Sequence, residues 1–136
     1  EQEDLAITAD IPEMTVMADR ELLRRIAVNL LDNSRKYGGR ENVHVRITAE
    51  KAGGMAAVAF TDDGVGVPQE QLSRLFDVFY RGDAARTAPG SGSGIGLAVV
   101  KKSAQEMGGS VRAENAENGG LRVIVALPLA KEGNGG

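Results

Sequence analysis

Cysteine is absent from these 136 residues and histidine occurs once, at His44. The first absence removes any disulfide framework or thiolate site, and the second leaves too few ligands for a zinc cluster. No apolar run approaches the ~20 residues that a membrane-spanning helix needs. The opening Glu1, Gln2, Glu3 and Asp4 are the opposite of a signal peptide. A soluble chain with no direct membrane contact is expected. Basic residues are in deficit, 16 Lys and Arg against 19 Asp and Glu, for a formal net charge of −3. No face can then be broadly basic without a still more acidic remainder, which disfavours nonspecific nucleic-acid binding and leaves the basic groups to serve a local anion. No Gly-Lys pair and no internal repeat or low-complexity block occur either.

With 42% hydrophobic residues the chain can bury one core and not two, so residues 1–136 are read as a single α/β domain. Two short strands are expected at 5–8 and 15–18, joined by a turn around Pro12. Asp19 fits a helix N-cap, with Glu21 in the first turn where the helix dipole favours negative charge. Leu22, Leu23, Ile26, Ala27, Leu30 and Leu31 then recur at helical spacing, which predicts a helix to about Tyr37 stopped by Gly38 and Gly39. Val43, Val45 and Ile47 alternate with His44, Arg46 and Thr48 as in a half-covered strand. A second strand follows at 55–61, across a hairpin at 51–54. Pro68 opens a short helix carrying Leu72, Leu75, Phe76 and Phe79 on one face. Residues 81–93 lack apolar periodicity and read as a mobile loop. A helix over 94–107 closed by Gly108 and Gly109, strands at 110–114 and 121–127 around Asn118-Gly119-Gly120, and a frayed tail from Lys131 complete the chain.

Four stretches carry chemistry. Asn29, Asn33 and Lys36 fall within about 60° of arc on the first helix, beside its apolar stripe. A neutral amide oxygen from Asn33 can complete the shell of a magnesium ion on a triphosphate without the repulsion an aspartate adds, and Lys36 can sit on a phosphate. Isolated, an Asn-x3-Asn pair more often only borders a solvated face. At 61–67 a strand ends in Asp62 and Asp63 before Gly64 and Gly66. An ionised Asp62 accepts hydrogen bonds only, which suits the exocyclic amine of adenine and not the oxygen of guanine, and the glycines let the backbone approach a base. Asp-Gly is equally a common turn signal. Phe76, Phe79 and Tyr80 are by default core anchors, with Arg81 placed to fold over a γ-phosphate and Arg86 as a second candidate. Gly90, Gly92, Gly94 and Gly96, with Ser93, Ile95 and Leu97 among them, lead into a helix whose free amides attract phosphate oxygens, although a glycine run can also be a linker. This loop is neither a Walker A nor a Rossmann fingerprint.

Taken together and in this order, the stretches resemble the N, G1, F and G2 boxes of bacterial sensor histidine kinases. Residues 29–37 resemble the N box, 62–67 the G1 box, 76–81 the F box and 92–97 the G2 box, and the likeness runs from Ala18 to Leu129. It implies the Bergerat fold shared with gyrase, Hsp90 and MutL, a two-layer α/β sandwich whose mixed sheet is covered on one face by helices, with a flexible ATP lid at about 80–93. It implies ATP and Mg2+ as ligands. Asn33 would then hold the metal, Asn29 and Lys36 lie near the phosphates, Tyr37 beside the nucleotide, and Asp62 on adenine. Gly64, Gly66, Val67, Phe76, Tyr80, Arg81, Gly92, Ser93, Gly94, Ile95, Gly96 and Leu97 would complete the nucleotide site. Where the family often has histidine before the closing Gly-Gly, this chain has Met107, which removes a polar contact.

Gyrase-like members carry a glutamate four residues before the metal-binding asparagine to activate water. Here that position is Asn29, and an amide cannot accept a proton at neutral pH, so slow hydrolysis and transfer to another nucleophile are expected. Asp32 projects about 100° away from Asn33 and is not assigned as a base. The likeness implies a protein-histidine kinase in a two-component system. Its partners would be its own dimerisation and phosphoacceptor domain and a response regulator, and its place a cytoplasmic domain of a membrane-anchored parent. His44, in an alternating strand, is not the acceptor. Alternatives are a gyrase-like ATPase, an anti-sigma-type serine kinase, or a noncatalytic nucleotide-sensing module.

Overall fold

The computed structural model describes residues 5–10, 16, 19–37, 43–77, 96–117 and 119–129. Strand β1 is Leu5–Asp10, helix α1 Arg20–Tyr37, β2 Val43–Ala52 and β3 Met55–Asp62. A 3-10 helix at Gln69–Arg74 follows, then α2 at Gly96–Glu106, β4 at Ser110–Asn115 and β5 at Leu121–Pro128. The strands form one sheet in the order β1-β2-β3-β5-β4. β1 runs parallel to β2, and the other neighbours are antiparallel. The sheet is therefore mixed, as the fold expectation required.

Helix α1 begins where its cap dictates. The Asp19 carboxylate accepts the backbone N–H groups of Glu21 at 2.9 Å and Leu22 at 3.1 Å, satisfying two amides that have no partner inside the helix. Of its apolar stripe, Ile26 and Leu30 are fully buried, whereas Leu23, on the flank, is left exposed. Helix α2 ends in a Schellman motif: Gly109 N–H bonds to Ala104 C=O and Gly108 N–H to Gln105 C=O. Gly108 supplies the left-handed φ of +81° that this turn requires.

Alternation along β5 turns Leu121, Val123, Val125 and Leu127 to one face, where they meet Ile26 and Leu30 of α1 and Val100 and Ala104 of α2 in a single buried cluster. Each large side chain buried there contributes roughly 1.5 to 3 kcal/mol. The helices thus cover that face of the sheet. The opposite face carries Arg112, Glu114 and Arg122, whose ion pairs are partly exposed and contribute little.

The structure adds detail to the expected elements. The strand expected at 5–8 is β1, which extends to Asp10 and joins β2 in parallel, with α1 as the crossover that such pairing needs. Of the strand expected at 15–18 only Val16 is described, in an isolated bridge to Leu129. The helix after Pro68 is a 3-10 helix, and Pro68 sits one position before it, at φ −54° and ψ 139°. Leu72 and Leu75, three residues apart, stack on one side of such a tight turn, and both pack against the core. Helix α2 is described from Gly96, and the expected start at residues 94 and 95 lies outside the described residues. The remaining strands and the β2–β3 hairpin across Gly53 and Gly54 lie within a residue or a few of the expected positions.

Candidate functional site

Strand β3 ends the covered face of the sheet on a charge. Ala56, Val58, Phe60 and Asp62 alternate onto the side occupied by the helices, and Asp62 sits beside the buried Val45 in the ladder. Only 5% of Asp62 is exposed. A carboxylate so placed must be hydrogen-bonded to be tolerated. Its Oδ1 accepts the N–H of Gly64 at 2.9 Å and that of Leu121, at the start of β5, at 3.0 Å. Gly120 packs so tightly on this residue that an added Cβ would fall 2.0 Å from the Asp62 carbonyl oxygen and 2.7 Å from Oδ1. The carboxylate is thus held from two strands and oriented.

Its neighbour points elsewhere. Asp63 Oδ1 accepts the N–H of His44 at 2.9 Å, and its own N–H bonds to the His44 carbonyl at 3.1 Å. The acidic pair therefore divides into one residue inside the layer interface and one that continues the ladder past the end of β3. His44 is half-buried on β2, away from the covered face.

The turn after Asp62 is braced by the β4–β5 connection. Gly66 adopts φ +76°, and a Cβ there would lie 2.3 Å from the Gly119 carbonyl oxygen and 3.0 Å from Asn115 Oδ1. Only glycine fits. The Asn115 side chain accepts the N–H of Val67 at 3.0 Å and donates to its carbonyl at 2.7 Å. None of the four motif stretches includes Asn115, Gly120 or Leu121. Their signal is purely tertiary, since Asn115 lies 48 residues from Val67 and Leu121 59 from Asp62.

All four motif stretches send a residue to the same buried cluster: Leu30 from the first, Val67 from the second, Leu75 and Phe76 from the third and Leu97 from the fourth. Asn29 is half-buried on α1, and its Nδ2 donates to the Arg25 carbonyl at 2.8 Å, which uses one of its two amide hydrogens. The backbone of Asn33, Lys36 and Tyr37 continues α1 for its last turns. Gly96 opens α2. Phe79, Tyr80, Arg81, Arg86, Gly90, Gly92, Ser93, Gly94 and Ile95 lie outside the described residues, as do the side chains of Asn33, Lys36 and Tyr37. Met107 does not leave its position without a contact: its Sδ accepts the Asp19 N–H at 3.3 Å, tying the end of α2 to the cap of α1.

Chemically, the arrangement offers a buried, oriented acceptor at the end of an otherwise apolar face, followed by a turn that admits no side chain at Gly66. Such a surface fits a flat heterocycle with an exocyclic donor. Among the described residues no three His, Cys, Asp or Glu side chains converge as a metal site. None of the described helices is long and apolar enough to cross a membrane.

Known proteins share this architecture. The sensor-like histidine kinase SenX3 of Mycobacterium tuberculosis (strain ATCC 25618 / H37Rv) is 35% identical over 130 residues, covering 95% of this chain and 32% of SenX3. The chain thus spans about a third of that relative's length. Among solved structures, the mycobacterial sensor histidine kinase MprB superposes with a TM-score of 0.83 at 28% identity, over 96% of this chain and 88% of that one. Full-length ShkA in complex with AMPPNP gives 0.73 at 28% identity, over 95% of this chain and 26% of that one. The model of the histidine kinase-, DNA gyrase B- and HSP90-like ATPases matches residues 18–131, and with the helix-covered mixed sheet and the converging motifs it establishes that the chain belongs to that family.

Proposed function

We propose that this chain is the ATP-binding catalytic domain of a two-component sensor histidine kinase, transferring the γ-phosphoryl group of Mg-ATP to a histidine on a separate dimerisation domain, for relay to a response regulator. The observation that carries the reading is Asp62: a buried carboxylate, oriented by the Gly64 and Leu121 amides, the second of which belongs to the core cluster that receives a residue from every motif stretch. An ionised carboxylate only accepts hydrogen bonds, and the exocyclic amine of adenine is the donor that suits it. Guanine places an oxygen there and leaves a desolvated acceptor facing an acceptor. In this reading Val67 and the close turn at Gly66 flank the base. Asn33 contributes an amide oxygen to magnesium, with Asn29, Lys36 and Arg81 on the phosphates and Tyr37, Tyr80 and residues 92–97 closing over the nucleotide. Magnesium supplies charge neutralisation across the phosphates, and the protein's part is to position the γ-phosphoryl group. Asn29 provides no base for water, which reserves that group for histidine.

The mixed sheet's lone histidine, on β2, is not the acceptor in this scheme. The domain works in the cytoplasm, in a parent anchored in the membrane, with residues 80–93 as the lid. The test is phosphotransfer from labelled ATP to the native dimerisation domain. Wild type is expected to label it and Asn33→Ala to lose most of the signal. Rapid ATP hydrolysis by the unmodified chain, with no transfer, would instead identify a gyrase-like ATPase.

A further inference from the structure

A turn that must present a base-binding surface needs something to hold its backbone in place, and here the holder is a single side chain from a distant strand. Val67 leaves the turn with its N–H and C=O directed at the end of β4. Asn115, the last residue of β4, meets both, accepting at 3.0 Å and donating at 2.7 Å as a neighbouring strand would. The amide orientation is dictated by its partners, since an N–H requires the oxygen and a carbonyl requires the nitrogen. Gly66, immediately before, is pressed against the same oxygen and against the Gly119 carbonyl, so the turn cannot shift towards the β4–β5 connection. Val67 itself packs on the core cluster, whose Leu121 donates its N–H to the buried Asp62.

We infer that Asn115 is a positioning residue for nucleotide binding: its two-point grip on the Val67 backbone sets the 64–67 turn at the distance from Asp62 that the base requires. The inference rests on the nucleotide reading given above. Residues with one hydrogen-bonding role cannot substitute. Alanine removes both bonds. Ionised aspartate keeps the acceptor for Val67 N–H but sets a second oxygen against the Val67 carbonyl. When that carboxyl is protonated it donates again, and both bonds return.

The test is calorimetric titration of Mg-ATP into wild type, Asn115→Ala and Asn115→Asp, each first shown by circular dichroism to be folded. Wild type supplies the reference affinity at every pH. Asn115→Ala weakens binding about tenfold, the scale of one or two lost neutral hydrogen bonds. Asn115→Asp is weakened similarly near neutral pH and regains wild-type affinity as pH falls through its carboxyl titration, each point compared with wild type at the same pH. A merely structural residue shows no such recovery. If both folded variants bind Mg-ATP as wild type does, the inference is overturned while the nucleotide reading stands. If wild type binds no Mg-ATP, the reading itself fails. Should neither variant fold, hydrogen exchange on wild type decides: a Val67 amide held by Asn115 exchanges slowly, and exchange at the unprotected rate overturns the proposal.

Discussion

Replacing Asp62 with asparagine removes a charge with almost no change of shape, and its effects on folding and on ligand binding separate cleanly. Oδ1 receives two backbone donors, Gly64 N–H at 2.9 Å and Leu121 N–H at 3.0 Å. An asparagine must turn its own oxygen to them, which places its NH2 where the second carboxylate oxygen stood. Both backbone bonds survive in neutral form, so stability falls by only about 1 kcal/mol, the difference between charge-assisted and neutral bonds. Binding fares worse, because the new NH2 faces the exocyclic amine of adenine, donor against donor. Loss of a bond to a charged group costs about 1.5 to 3 kcal/mol, or roughly 10- to 150-fold in Kd. The same NH2 suits the carbonyl oxygen of guanine, so the preference for ATP over GTP should narrow or reverse. Thermal melts followed by titration calorimetry with Mg-ATP and Mg-GTP measure all three quantities. A folded Asp62→Asn protein that binds Mg-ATP within about twofold of wild type would refute the assignment of Asp62 to adenine.

Gly120→Ala drives a Cβ into the Asp62 backbone and carboxylate. It is expected to lower stability by about 1 to 3 kcal/mol, as overpacking does, and to weaken ATP binding in the same protein, read by denaturant titration and calorimetry. Asp19→Ala removes the α1 cap and should cost about 1 kcal/mol, seen as a lower Tm, with ATP affinity unchanged because the cap lies at the opposite end of the helix from Asn33 and Lys36.

Much of this molecule was legible residue by residue, and the parts that were not share a cause. Asp19, the spacing of Ile26 and Leu30, the alternation of Val43 and Val45, and Gly108 with Gly109 all act within a few residues of themselves. Periodicity, capping and turn chemistry therefore locate α1, β2 and the end of α2 from the chain alone. The short segment at 5–10 reads as a strand but carries no local sign of its partner, and its parallel pairing with β2 across α1 is visible only in the fold. The short helix after Pro68 was legible but its 3-10 pitch was not, because Leu72 and Leu75 satisfy either spacing once a core is there to receive them.

The candidate site divides the same way. Residue types and their order were enough to mark Asp62, Gly66, Val67, Phe76 and Leu97 as candidates, since the chemistry of a nucleotide would restrict what can face it. Which of two adjacent aspartates enters the layer interface was settled by the pleat of β3 against β2 and β5. Who holds that carboxylate, and who holds the turn beyond it, was settled by the β4–β5 connection arriving from 48 to 59 residues away. Local interactions are written in neighbouring letters, whereas a hydrogen bond between distant strands exists only once the sheet has brought their backbones together.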